Sequence, residues 1–187
     1  MKSRKVRGLD VGAPLADNAE RIVRLRLDEL YGFVPAALDV AEVEALHDMR
    51  IAAKRLRYVL EVTAAACFGP YARTAAKRAR DLQDVIGEIH DCDVLVPRIE
   101  ALQAELRDED VAHVVAEAGR RKQLDPALAA AAPHAPAYRG LEVFAVHLRA
   151  RREQLFARFL SFWTDLERQG FRPRLEYALS ERDPTTP

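Results

Sequence analysis

The sequence predicts an all-α fold, an antiparallel bundle of about five or six helices, and three observations carry that expectation. Alanine and leucine dominate, β-branched residues are few, and only 8 of the 187 residues are glycine, a composition that suits helices. Apolar residues recur at spacings of three and four through most of the chain, and no segment reads as a strand. Hydrophobic residues make up 49% of the chain, enough to bury a core in what its length marks as one domain.

Taken in order, residues 1–13 form a flexible basic arm and 14–176 a helical domain. The first helix runs from about Asp17 to Tyr31, with Val23, Leu27 and Leu30 on its inner face and Gly32 and Pro35 as breakers. Asp39 is the expected cap of a second helix that reaches Cys67, where "FGPY" ends it. Pro70 suits the first turn of a third helix, which continues to about Ile89. "HDCD" (90–93) then reads as a turn, with Asp91 or Asp93 capping a fourth helix to about Leu106, and a weaker fifth covers 109–122. The Ala/Pro-rich stretch at about 124–137 reads as a linker, with an exposed and inert His134. The last helix spans about 138–168 and ends at Gly170, and 177–187 is expected to be a disordered tail.

The chain has 29 basic and 29 acidic residues, yet its charge is segregated. Residues 81–110 hold ten acids against Arg98 and Arg107, a balance of −8, while 70–80 stand at +4 and 47–58 at +3. Two cysteines, Cys67 and Cys92, make neither a disulfide framework nor a zinc spacing. The basic start is followed by no apolar signal region, and no run of about 18 apolar residues exists, so a cytoplasmic protein without a membrane span is expected.

A helical wheel sorts the cations into rows. On the second helix Leu46, Met49, Ala53, Leu56 and Leu60 share the core arc, while His47, Arg50, Lys54, Arg57 and Glu61 recur beside it. Tyr58 lies at the edge of that row and Arg55 points further away. On the third helix Ala75, Ala79, Leu82 and Ile86 face inward, and Arg73, Lys77, Arg80 and Asp84 line the other side. On the last, Leu141, Leu148, Leu155, Phe159 and Leu166 make the core face beside a stripe of His147, Arg151 and Arg158. Like charges at these spacings cost a few tenths of a kcal/mol per pair. One such row is ordinary solvated surface covered by Lys and Arg stems. Three rows that converge would instead make a groove that attracts polyanions in a salt-dependent way. Only Tyr58 is placed to stack on bases, which favours a ligand that is phosphate and little else.

These residues carry a resemblance. "LHDMRIAAKRLRYVLE" (46–61), followed after about twenty residues by "LQDVIGEIHDCDV" (82–94), is similar to the CHAD family, the conserved histidine α-helical domain. The family pattern is a helix of the type H-x-x-R-x-x-x-[KR]-[KR]-[LF]-R, then a helix ending L-x-x-x-[LI]-G-x-x-x-D, and both halves match in order. The resemblance implies a helical domain that binds inorganic polyphosphate through basic side chains, in some members in association with polyphosphate granules. By motif position it nominates His47, Arg50, Lys54, Arg55 and Arg57; Arg73, Lys77, Arg80, His147, Arg151 and Arg158 come from the wheel alone. The family usually shows two copies of the histidine-headed helix, and one stands here. Either a degenerate copy lies around His147, or a second chain completes the site in a homodimer. His90 stands where some members carry Arg, which either weakens an anion site slightly or changes its pH response.

Competing chemistries find less support. His47 has Arg50 and Ile51 at i+3 and i+4, so no metal-ligand spacing is present. The residues of "HDCD" point in different directions, and no nucleophile–base pair, phosphate-cradling glycine loop or magnesium-type carboxylate cluster appears. The expectation is therefore a non-enzymatic polyphosphate binder with no cofactor and no metal. The alternatives are a nucleic-acid-binding module and an accessory or regulatory module for a phosphate-metabolising partner.

Overall fold

The computed structural model describes residues 3–120 and 123–181. These fold into six helices with no strand among the described residues: α1 (Leu15–Ala37), α2 (Val43–Cys67), α3 (Tyr71–Ala118), α4 (Pro126–Ala130), α5 (Ala135–Arg168) and α6 (Phe171–Ser180). The all-α expectation holds. The chain divides into two compact units, one of residues up to Ile89 together with those from Leu155 onward, the other His90–Gln154. The boundaries fall inside α3 and α5.

In the first unit α1 packs on α2. Every apolar residue expected to face inward there does so: Val23, Leu27 and Leu30 of α1, Leu46, Met49, Ala53, Leu56 and Leu60 of α2, and Ala75, Ala79, Leu82 and Ile86 of α3 are buried. Phe159 and Leu166 of α5 join them. α1 does not stop at Gly32. It runs through Pro35 to Ala37, because a proline near the last turn removes only one donor and the alanines around it favour helix. Asp39 does not cap α2. Its carboxylate accepts instead from Ala41 N–H (2.9 Å), closing a turn in the connection. Residues 4–10 lie along α1. Arg4 N–H donates to Glu29 Oε1 (2.6 Å), Arg26 pairs with the same buried carboxylate (2.7 Å), and Asn18 and Asp10 exchange two hydrogen bonds.

The sequence did not announce α6, and Tyr177–Ser180, expected in the tail, belong to it. Gly170 turns the chain into it with φ +69°, a left-handed conformation that glycine adopts without a Cβ penalty. Phe171, Leu175, Ala178 and Leu179 are then buried at helical spacing. Pro173 is tolerated because it sits in the first turn, where N–H groups lack helical partners. Arg172 fastens the helix to Asp28 of α1 and lies over the Tyr31 ring at 5.0 Å. The remainder of the expected tail, 182–187, lies outside the described residues.

The second unit is an antiparallel pair made by the latter part of α3 and the first part of α5. Asp93 pairs with Arg152 (2.5 Å) and Glu100 with Arg149. The Tyr138 hydroxyl donates to the buried Asp110 carboxylate, which also accepts His134 N–H (3.1 Å). The turn expected at 90–93 is absent, and with it the separate fourth and fifth helices: α3 is one helix of 48 residues. "HDCD" holds no glycine or proline, Cys92 is buried, and Asp93 spends its charge on Arg152 rather than on a helix cap. The expected linker is also partly ordered. Asp125 caps α4 by accepting from Ala127 N–H (2.9 Å). His134 is not inert, since its Nε2 meets Glu109 at 2.9 Å.

Candidate anion-binding site

The cation row of α2 runs beside its buried face because the 3.6-residue period keeps His47, Arg50, Lys54 and Arg57 on one side. His47, Arg50, Arg55 and Arg57 are half-buried and Lys54 is exposed. Burial without acceptors sets the arginines apart. Arg50 Nε, Arg55 Nη1 and Arg57 Nε are each shut off from solvent and make no hydrogen bond. Arg57 Nε does come within 3.2 Å of Glu61 Oε1. That distance suffices for charge attraction, but the carboxylate lies off the N–H direction, so the donor stays unanswered. Arg55, which the wheel directs away from the row, thus shares the desolvated character of its neighbours. A buried donor without an acceptor forfeits on the order of 1–3 kcal/mol, and an anion that supplied oxygen acceptors would recover it.

The second half of the motif explains itself against the first. A Cβ on Gly87 of α3 would stand 3.7 Å from Arg50 Nε. Glycine at that position gives the guanidinium its room, and a side chain beyond Cβ would occupy it. Gln83, one turn earlier, has a buried Oε1 that also lacks a partner.

Tyr58 braces the row. Lys54 Nζ lies 5.7 Å and Arg57 Cζ 4.8 Å from its ring centroid, distances at which the ring quadrupole attracts cations. Where α2 and α3 meet at the other end of the row, Glu61 accepts from Arg80 Nη2 at 2.6 Å and from Nε at 3.2 Å. That hydrogen bond, and then the charge of Glu61, hold the Arg80 guanidinium above its ordinary value. Glu61 therefore neutralises part of two cations, Arg57 and Arg80. The wheel places it on the row, and only the fold shows that it reaches α3.

The other nominated cations are distributed over the two units. Arg73 and Lys77 are exposed and line a cavity of about 480 Å³ with Thr74, Arg78 and Asp81. Arg158 reaches Glu88 of α3 at 3.9 Å and lines a different cavity, of about 450 Å³, with Asp81, Asp84 and Glu88 among its walls. His147 and Arg151 are exposed on the α5 segment of the second unit. Among the described residues no group of three or more His, Cys, Asp and Glu has metal-site geometry. Burial pushes the Cys92 thiol up, so at neutral pH it is a packed thiol rather than a thiolate.

Fold and site together define a helical domain in which a motif-bearing helix carries half-buried arginines, one of them, Arg50, against a glycine of the next helix. The chain belongs to the CHAD family: the family model for the CHAD domain matches residues 7–100, half of the chain. That span takes in α1, α2 and both halves of the motif. Comparison with curated proteins and with solved structures yields no match. No helix among the described residues is long and apolar enough to cross a membrane.

Proposed function

We propose that the chain binds inorganic polyphosphate without cleaving it, with the α2 row as the principal contact. His47, Arg50, Lys54, Arg55 and Arg57 form the core of the site. Arg73, Lys77, Arg80 and Arg158 extend the cationic surface of the first unit; His147 and Arg151, nominated with them, lie on the second unit. The observation that carries this reading is the set of three motif arginines whose buried N–H groups have no acceptor. Phosphate oxygens accept such donors in pairs, and the repeating charge of a polyphosphate matches a row of cations one helical turn apart. A nucleic-acid ligand is disfavoured because the row carries a single aromatic ring, Tyr58, whereas a strand of successive bases calls for several stacking rings. A cytoplasmic setting with association to polyphosphate granules belongs to the same proposal.

Titration with long-chain polyphosphate at rising salt tests it. The logarithm of the affinity should fall linearly with the logarithm of salt concentration, as counterion release requires; salt-indifferent or absent binding rejects the proposal. The Arg50→Glu/Lys54→Glu variant should keep its helicity and lose on the order of 100-fold in affinity, from two charge-assisted contacts of roughly 1.5 kcal/mol each. Single-stranded RNA should fail to displace the polyphosphate. Light scattering on the full chain decides between a site closed by one chain and one completed in a homodimer.

A further inference from the structure

The geometry points to a second site on the first unit, a groove for a nucleoside polyphosphate whose base lies between Tyr71 and Tyr177 and whose phosphates run along α3 to Arg73 and Lys77. The groove has a volume of about 660 Å³ and lies where α6 meets the first turn of α3. That size suits a small organic ligand. Its walls are flat and largely apolar: the rings of Pro70, Tyr71, Pro173 and Tyr177, with Arg174 laid over the Tyr71 ring at 4.2 Å. Tyr177 is 67% exposed, so its ring is open to a ligand. Stacked guanidinium–aryl pairs and open tyrosine faces are platforms for planar aromatic groups.

The groove does not end there. Thr74 lines both it and the cavity that holds Arg73, Lys77 and Arg78, so an aromatic compartment and a cationic one are neighbours at that residue. Its opposite end is marked by Glu181, whose carboxylate lies against Gly69. A ligand is thereby oriented, with its anionic end kept from Glu181 and directed toward the neighbouring cavity, where Arg73 and Lys77 are exposed. Arg78 is partly occupied by Gln169 (2.9 Å) and Asp81 (4.0 Å), which leaves Arg73 and Lys77 as the main phosphate contacts. A pure phosphate chain would not use the tyrosines, and an uncharged aromatic would not use the cations. A proline-rich peptide would fit the aromatic walls but not the basic continuation. The groove is separate from the α2 row, although Arg73 and Lys77 are shared with the wider cationic surface.

Calorimetric titrations of the full-length Arg50→Glu/Lys54→Glu variant with ATP, adenosine and inorganic triphosphate separate this site from the α2 row. ATP should bind about tenfold or more tightly than inorganic triphosphate, the margin expected from stacking one base. Tyr177→Ala, a substitution of an exposed side chain, should erase that margin, and Arg73→Glu/Lys77→Glu should weaken both ligands. In the wild-type chain, ATP should shift backbone amide resonances at 69–78 and 170–178. The inference is overturned if ATP binds no better than triphosphate, if the margin survives Tyr177→Ala, if the shifts fall on 47–57 instead, or if a proline-rich peptide binds through Tyr177 while ATP does not. Loss of polyphosphate binding at the α2 row leaves these outcomes unchanged.

Discussion

At the scale of single residues, Glu61 is the most informative side chain outside the motif. It occupies oxygens-to-guanidinium contacts that a phosphate would otherwise make with Arg57 and Arg80. Glu61→Gln should therefore tighten polyphosphate binding by a few-fold and, because the pairs are partly exposed, cost little stability. Titration and denaturant melts of the same variant check both halves. Gly87 gives the complementary result: Gly87→Ala puts its Cβ at ordinary contact distance from Arg50 and should be tolerated, whereas Gly87→Leu should displace the guanidinium and weaken binding while the bundle stays helical. Tyr31 reports on pH. Burial first, and then its hydrogen bond to Glu167, push the Tyr31 phenol above its ordinary value. A raised acid keeps its proton in the folded chain after the unfolded chain has lost it. Its contribution is whole below about pH 10 and is lost as pH rises through the higher folded value. Denaturant melts from pH 7 to pH 11 should show stability falling in the alkaline range, with a shallower fall in Tyr31→Phe and a loss of about 1 kcal/mol at neutral pH from the missing hydrogen bond.

At the scale of elements, α3 departs furthest from expectation. A charged turn was the natural reading of "HDCD", since aspartates favour helix starts. The helix continues because Asp93 has a partner 59 residues away in Arg152 and Cys92 has a buried place to go. Hydrogen exchange should accordingly find the amides of 90–93 as protected as their neighbours, not open as in a turn. Pro97 lies within the same helix and is exposed, so it removes a donor while adding no packing. Pro97→Ala should raise stability by about 2 kcal/mol in thermal or chemical denaturation, the helix-interior penalty less the entropy proline withholds from the unfolded chain. The cation stripes, by contrast, were legible element by element. Each wheel separated an inner arc from a charged one, and the burial of Leu46, Met49, Leu56, Leu82, Leu148 and Leu155 follows those arcs, while Leu141, expected on the inner face of α5, is only half-buried.

At the scale of the molecule, equal numbers of acids and bases conceal a strong separation of charge. The positive segment of α2 and the start of α3 lie in the first unit, and much of the acidic run is carried into the second. Neutrality overall thus coexists with a local excess of positive charge on α2 and the start of α3. A ligand bound only by the folded chain must also stabilise it. Polyphosphate at one hundred times its dissociation constant should add about 2.7 kcal/mol, an upward shift of the melting temperature that salt should erase and that the Arg50→Glu/Lys54→Glu variant should not show.

What the sequence determined by itself was local: the helical class, the inward faces, the row His47–Arg50–Lys54–Arg57 and the motif that joins it to Gly87. A helix writes its inner face every three or four residues, so these features can be read within one segment. The tertiary structure alone decided that 90–93 are helical, that α6 exists, that Glu61 ties Arg57 to Arg80 and that three arginines keep donors without acceptors. Each of those depends on what a distant segment brings or fails to bring: Arg152 to Asp93, Arg80 to Glu61, and no acceptor at all to Arg50 Nε. A spacing rule carries no information about partners that only folding brings near.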